Sequence, residues 1–164
     1  MDRTRHVLVA DDDRNDFLLV QLAFQRAGFP VRLAHVLDGQ QAVDYLTAKH
    51  KFQHRAGEPL PDLLLLDLKM PLMDGFDVLA YVRKEPSLKK LPVVVLSASQ
   101  IEEDIRKALR LGADQFLTKP ADFSALVDLM KGVFARWLAK DGLSIEPRQT
   151  QPASVARPDR DYSG

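Results

Sequence analysis

The sequence has 164 residues, enough for one domain of ordinary size with a short appendage, and its hydrophobic fraction of 46% is typical of a globular protein. Its 23 basic and 23 acidic residues give a formal net charge of zero, so no overall field attracts nucleic acid. Cysteine is absent, which excludes disulfides and thiol nucleophiles and fits a cytoplasmic location. The basic N-terminus soon reaches three aspartates, which predicts neither a signal peptide nor a membrane span.

Short apolar runs and helical segments alternate along the chain. The runs predicted as strands are Val7 to Ala10, Val31 to Val36, Leu63 to Leu66, Val93 to Leu96 and Gln115 to Thr118. The segments with helical periodicity are Asp16 to Ala27, Gly39 to Ala48, Gly75 to Lys84, Gln100 to Leu111 and Asp122 to Ala139, and Gly28 and Gly112 stand where helices would end. This alternation predicts an α/β fold with a doubly wound, five-stranded parallel sheet and five helices. The third and fourth strands lack polar residues, which predicts a central position.

Two segments depart from this alternation. Residues 47–61 form a longer connection than such loops usually need, and the segment is either a solvated insertion or a loop that faces a partner. Residues 140–164 are polar and contain three prolines, a composition that predicts a flexible C-terminal tail after a domain of residues 1–139.

Polar side chains follow four of the five predicted strands. Asp11 and Asp12 follow the first, Asp67 the third, Ser97 the fourth and Lys119 the fifth. Ligands bind at the carboxyl ends of parallel strands, so neighbouring first and third strands would bring the three aspartates into one pocket. Three carboxylates repel one another unless a cation compensates them, and carboxylate oxygens suit Mg²⁺. We expect two further aspartates to have local roles, Asp13 as a helix N-cap and Asp74 in a turn with Gly75.

Four segments together resemble the signature segments of bacterial response-regulator receiver domains, the CheY-like family. They are VLVADDDRND, DLLLLDLKMPLMDG, VVVLSAS and GADQFLTKP, and they occur in the family's order across nearly all of residues 6–139. The resemblance implies the flavodoxin-like strand order 2-1-3-4-5, which CheY has.

The resemblance also implies roles for the acidic residues. Asp67 corresponds to the phosphoacceptor, and Asp11 and Asp12 would hold Mg²⁺ together with Asp67 and the backbone carbonyl of Lys69. A carboxylate nucleophile can form an acyl phosphate, and phosphoryl transfer requires mainly positioning and positive charge. Lys69 and Ser99 lie where receivers tune hydrolysis of the acyl phosphate.

A second group of residues would contact the phosphoryl group or respond to it. Ser97 would be the switch hydroxyl, Ala98 and Lys119 would contact the phosphoryl group, and the bond before Pro120 is expected to be cis, as is usual in the family. Phe116 occupies the position of the aromatic residue that moves in such switches, although it could equally be a simple core residue. The face of the fourth helix, fifth strand and fifth helix would then carry the signal.

The fifth helix has an unusually wide apolar surface. Its apolar positions are Phe123, Leu126, Val127, Leu129, Met130, Val133, Phe134, Trp137 and Leu138. We hypothesise that Leu129 and Val133 lie at an exposed edge and pair with a second copy in a homodimer through the fourth helix, fifth strand and fifth helix. The alternative is a single helix that is well buried in its own chain.

These observations predict a stand-alone response regulator, not an enzyme in the usual sense, that receives a phosphoryl group from a sensor histidine kinase and binds neither nucleic acid nor membrane. The loop before the third strand and the sequence FARWL resemble small receivers that serve phytochrome-type kinases. A phosphorelay shuttle or a phosphate sink is an alternative. A remote alternative is a phosphohydrolase of the haloacid dehalogenase type, but that class needs an aspartate where this chain has Lys69.

Overall fold

The computed structural model describes residues 3–139, which form one parallel β-sheet covered by helices. The strands are β1 (Arg5–Ala10), β2 (Val31–Val36), β3 (Leu63–Leu66), β4 (Val93–Ser97) and β5 (Gln115–Thr118). The helices are α1 (Arg14–Ala27), α2 (Gly39–Thr47), α3 (Gly75–Lys84), α4 (Glu102–Arg110) and α5 (Phe123–Val133), which continues into a π-helical turn over Phe134–Leu138. The strand order is β2-β1-β3-β4-β5 and every pair is parallel, so the predicted fold class is confirmed. The tail predicted for residues 140–164 lies outside the described residues.

The two central strands are buried on both faces, as their sequences predict. Leu64 and Leu66 of β3 pack into a cluster with α2, α3 and α4, whereas Leu63 and Leu65 pack into a second cluster with α1 and α5. Helices therefore cover each face of the sheet and leave its carboxyl edge for the loops that follow the strands. No helix within residues 3–139 has the length and hydropathy needed to cross a membrane.

The long connection before β3 is ordered and partly buried. It contains a 3₁₀ helix, His50–Arg55, whose last residue is only 6% exposed. The guanidinium carbon of Arg55 lies 3.8 Å from the ring centroid of Tyr45 on α2, and Arg55 Nε donates to the Tyr45 carbonyl. The Tyr45 hydroxyl also lies 2.8 Å from Nε2 of His6 on β1. This segment is therefore anchored to α2 and is not a fully solvated insertion.

The apolar surface of α5 is covered by α1 of the same chain. Leu129 and Val133 are only 5% and 2% exposed and belong to the cluster that contains Val20, Ala23 and Phe24 of α1. The prediction that Leu129 and Val133 form an exposed edge is therefore wrong, because α1 and the sheet together cover a wider part of α5 than one sheet face could.

Candidate functional site

The site lies where β1 and β3 end side by side. Ala10 pairs with Leu66 in the parallel register, and the Asp67 amide donates to the Ala10 carbonyl at 3.0 Å. The next residue of each strand is an aspartate, so Asp11 and Asp67 lie together, and both are buried. Asp12 completes a group in which one carboxylate oxygen from each residue lies within 4.8 Å of the others. This donor set fits a hard divalent cation.

Lys119, which follows β5, closes this pocket. Its Nζ lies 2.9 Å from an oxygen of Asp11, 3.0 Å from one of Asp67 and 2.7 Å from one of Asp16. Burial by itself lowers the pKa of Lys119, but the hydrogen bond to Asp16 and the charges of Asp67 and Asp11 more than offset it, so the pKa is raised. The Lys119 side chain is therefore protonated and places a positive charge beside Asp67.

Asp16 is a site residue that the sequence analysis did not identify. It lies in the first turn of α1, where an acidic side chain is expected for its favourable interaction with the helix dipole. Its contact with Lys119 is visible only in the three-dimensional structure. Asp13, in contrast, is the N-cap of α1 and accepts from the amides of Asn15 and Asp16, as predicted.

The carboxyl group of Asp11 has a perturbed pKa. Burial raises its pKa to about 6, although the Asp13 amide and the Lys119 ammonium act in the opposite direction. The Asp13 amide donates to Asp11 at 2.9 Å. The negative charge of the Asp11 carboxylate is thus only partly compensated by its neighbours, and a bound cation would compensate it further.

The bond between Lys119 and Pro120 is trans, which corrects the prediction of a cis bond. The backbone before it continues the β-ladder, since the Lys119 amide donates to the Ser97 carbonyl at 2.9 Å. From this position the side chain already reaches the carboxylates of the pocket, and the trans form is the favoured one even for proline, by about 0.5–1 kcal/mol.

The end of β4 supplies hydroxyl groups beside the pocket. Ser97 is 1% exposed and its Oγ accepts from the Ser99 amide at 3.2 Å. Ser99 donates its own hydroxyl to Asp104 at 2.8 Å, which ties this loop to the start of α4, whereas Ala98 is exposed. Phe116 is fully buried in the cluster of α2, α3 and α4 and therefore points inward.

The loop from β3 to α3 approaches the Asp67 backbone closely. A Cβ atom at Gly75 would overlap the Asp67 carbonyl, so this position requires glycine. Asp74, predicted to form a turn with Gly75, is the N-cap of α3 and accepts from the Asp77 amide. Lys69 in the same loop is exposed. Leu72 has a left-handed backbone with φ of 65° and a side chain that is 84% exposed, a combination that is unfavourable for leucine.

The doubly wound fold and an acidic pocket closed by a lysine define the receiver class of two-component signalling proteins. The family model described as response regulator receiver domain matches residues 7–131, and the chain belongs to this family. It is therefore a phosphoryl-accepting module of two-component signalling.

Several relatives cover most of this chain and of their own length. The chain is 33% identical to the response regulator Rcp1 of Synechocystis over 132 residues, 80% of this chain and 88% of the relative. The phosphorylated cyanobacterial phytochrome response regulator RcpA aligns with a TM-score of 0.76 and 36% identity over 84% of this chain and 96% of that protein. The response regulator RPA3017 in red light signaling of R. palustris aligns with a TM-score of 0.77 and 32% identity, over 89% of this chain and 99% of that protein.

Proposed function

We propose that Asp67 is the residue that accepts the phosphoryl group. One observation carries this proposal: the Asp67 carboxylate lies 3.0 Å from the Lys119 ammonium and within 4.8 Å of carboxylate oxygens of Asp11 and Asp12. A nucleophilic oxygen is thus placed where positive charge can gather around a transferring phosphoryl group. Such charge, together with in-line positioning, is most of what this reaction requires of a protein.

We propose Mg²⁺ as the cation of this site. Asp11, Asp12 and Asp67 would hold it, with the backbone carbonyl of Lys69 as a further ligand, and a related protein, Rcp1, has a structure in a Mn²⁺-bound form. When bound, the cation neutralises charge on the phosphoryl oxygens. The three carboxylates offer the hard oxygen donors that Mg²⁺ prefers, and so few protein ligands leave room for waters and phosphate oxygens.

The phosphoryl group would be read by residues at the ends of β4 and β5. Lys119 donates to a phosphoryl oxygen, and the Ser97 hydroxyl and the Ala98 amide turn towards it. This movement of Ser97 leaves space behind its side chain. Phe116, which is buried in the core, is the aromatic side chain that can move into that space. The two arrangements form a two-state equilibrium that phosphorylation biases, and the face of α4, β5 and α5 carries the result.

We propose that the donor is a sensor histidine kinase of the phytochrome type in the cytoplasm, and that the chain catalyses only its own phosphorylation and dephosphorylation. The support is that RcpA is a cyanobacterial phytochrome response regulator and RPA3017 acts in red light signaling. A phosphorelay shuttle or a phosphate sink is the alternative.

A homodimer through α4, β5 and α5 stays a prediction. It would need polar contacts, because the outer face of α4 presents Glu102, Glu103, Arg106 and Arg110.

The test is labelling of the full chain by acetyl phosphate in the presence of Mg²⁺. The wild-type protein is expected to gain one acid-stable, base-labile phosphoryl group, and Asp67→Asn is expected to abolish it because the amide cannot form an acyl phosphate. Asp13→Asn is the matched control, since asparagine also caps a helix and Asp13 does not contact Lys119. Label that persists in Asp67→Asn would refute the assignment.

Lys69 and Ser99 are expected to set the lifetime of the acyl phosphate. Lys69 is exposed beside the pocket, and Ser99 holds the loop after β4 through its hydrogen bond to Asp104. Lys69→Ala and Ser99→Ala should therefore change the first-order decay of the label after the donor is removed. Decay constants equal to that of the wild type for both variants would remove this role.

A further inference from the structure

The Lys119 ammonium has three N–H donors, and three carboxylates accept from it. The acceptors come from three different elements: Asp11 follows β1, Asp67 follows β3, and Asp16 belongs to α1. The contact with Asp16 is the shortest of the three, at 2.7 Å.

The three acceptors differ in what happens to them during the proposed reaction. Asp11 and Asp67 belong to the group of oxygens that can hold a cation, and Asp16 does not. Lys119 is drawn less strongly to Asp11 once a cation compensates that carboxylate, and less strongly to Asp67 once its oxygen carries a phosphoryl group. Of the three acceptors, only Asp16 therefore keeps its full attraction for Lys119 when the cation and the phosphoryl group are bound.

We propose that Asp16 is a positioning residue that holds the Lys119 ammonium at the pocket when a divalent cation is bound there. This inference rests on the proposed function of Asp67. Asp16 acts through Lys119 and needs no contact with the cation or with the phosphoryl group.

The backbone at Asp16 is well suited to this role because it is fixed by a cap. Asp13 accepts from the Asp16 amide at 3.3 Å, and the Asp13 carbonyl accepts from the Phe17 amide at 3.2 Å. Phe17 in turn stacks on His35 of β2, with ring centroids 4.2 Å apart. The first turn of α1 is therefore held against the sheet, and the Asp16 carboxylate has a defined position. Without it, Lys119 would lose its anchor to α1 and be repelled by the cation.

The experiment compares Asp16→Asn with Asp13→Asn in the full chain. Both variants remove one negative charge from the start of α1, but only Asp16 contacts Lys119. Asp16→Ser removes the same carboxylate with a different side chain and serves as the second variant if the asparagine variant folds poorly. The first readout is the ¹H–¹⁵N signal of the Lys119 ammonium, assigned by its loss in Lys119→Met and followed as MgCl₂ is added. The second is the rate of labelling by acetyl phosphate at saturating Mg²⁺.

The ammonium signal of the wild type and of Asp13→Asn is expected to remain visible when Mg²⁺ is added, because the ordered hydrogen bond slows proton exchange. In Asp16→Asn the signal should broaden or vanish at the same Mg²⁺ concentration. Labelling of Asp16→Asn should be slower than that of Asp13→Asn by about tenfold, as expected when a hydrogen bond between two charged groups is replaced by a weaker one to a neutral amide oxygen.

A Lys119 signal that survives Mg²⁺ in both Asp16 variants would overturn the proposal, and so would an equal loss of rate in Asp13→Asn and Asp16→Asn. If the wild type accepts no label, the proposed function fails, but the ammonium signal still tests whether Asp16 holds Lys119.

Discussion

His6 is expected to contribute less to the stability of the protein at pH 5 than at pH 7. This residue lies on β1 at 6% exposure, with Nε2 2.8 Å from the Tyr45 hydroxyl. Burial, followed by the charges of Arg32 and Arg55, lowers the pKa of His6 from 6.5 to about 4. The folded protein therefore resists a proton that the unfolded chain readily accepts.

The sign and size of the effect follow from linkage. At His6 the unfolded chain binds more protons than the folded protein between pH 6.5 and pH 4, so the contribution of this residue is fully present above pH 6.5 and is lost as the pH falls. A shift of this size amounts to about 3 kcal/mol in full, of which about 2 kcal/mol is lost between pH 7 and pH 5.

The assay is urea unfolding at pH 7 and pH 5, and the variant is His6→Gln. Glutamine places an amide near the Tyr45 hydroxyl and does not titrate, so the wild type should lose about 2 kcal/mol more than His6→Gln between the two pH values. His54→Gln, at an exposed position on the 3₁₀ helix, is the control and should lose as much as the wild type. Equal losses in the wild type and His6→Gln would refute the reasoning.

Two further predictions concern the loop between β3 and α3. Leu72→Gly should raise the free energy of unfolding by about 0.5–1 kcal/mol, because relief of the left-handed strain exceeds the backbone entropy of glycine and an exposed side chain loses little burial. A decrease in urea unfolding experiments would contradict this. Gly75→Ala should lower it by about 1–3 kcal/mol and slow acetyl phosphate labelling, because the new methyl group displaces the Asp67 carbonyl. An unchanged melting temperature would show that the loop accommodates the methyl group freely.

The parts of the fold that follow from local pattern were predictable from the sequence. The uninterrupted leucines of β3 are buried on both faces, and Asp13 caps α1 as its position indicates. The meeting of Asp11 with Asp67 follows once β1 and β3 are neighbours. These features depend on periodicity, capping chemistry and the rule that parallel strands end at one edge.

The features that were missed or wrong depend on which helix covers which surface. Asp16 reaches Lys119 only because the side chains of the first turn of α1 and of the residue after β5 meet at the carboxyl edge of the sheet, and no spacing in the sequence indicates that. The prediction of an exposed edge at Leu129 is wrong because α1 and the sheet together cover the apolar surface of α5, which is wider than one sheet face could cover. Among the described helices, the exposed leucines lie on α1, where Leu18, Leu19 and Leu22 are 48%, 42% and 42% exposed.

The π-helical turn after α5 gives the molecule an intrinsic optical probe. Trp137 is the single tryptophan of the sequence, and its indole nitrogen donates to the Gln115 side chain at 2.8 Å. Gln115 begins β5 and is followed directly by Phe116. Fluorescence from this indole therefore originates next to the strand that is expected to shift, so the kinetics of switching can be followed in the unlabelled wild-type chain.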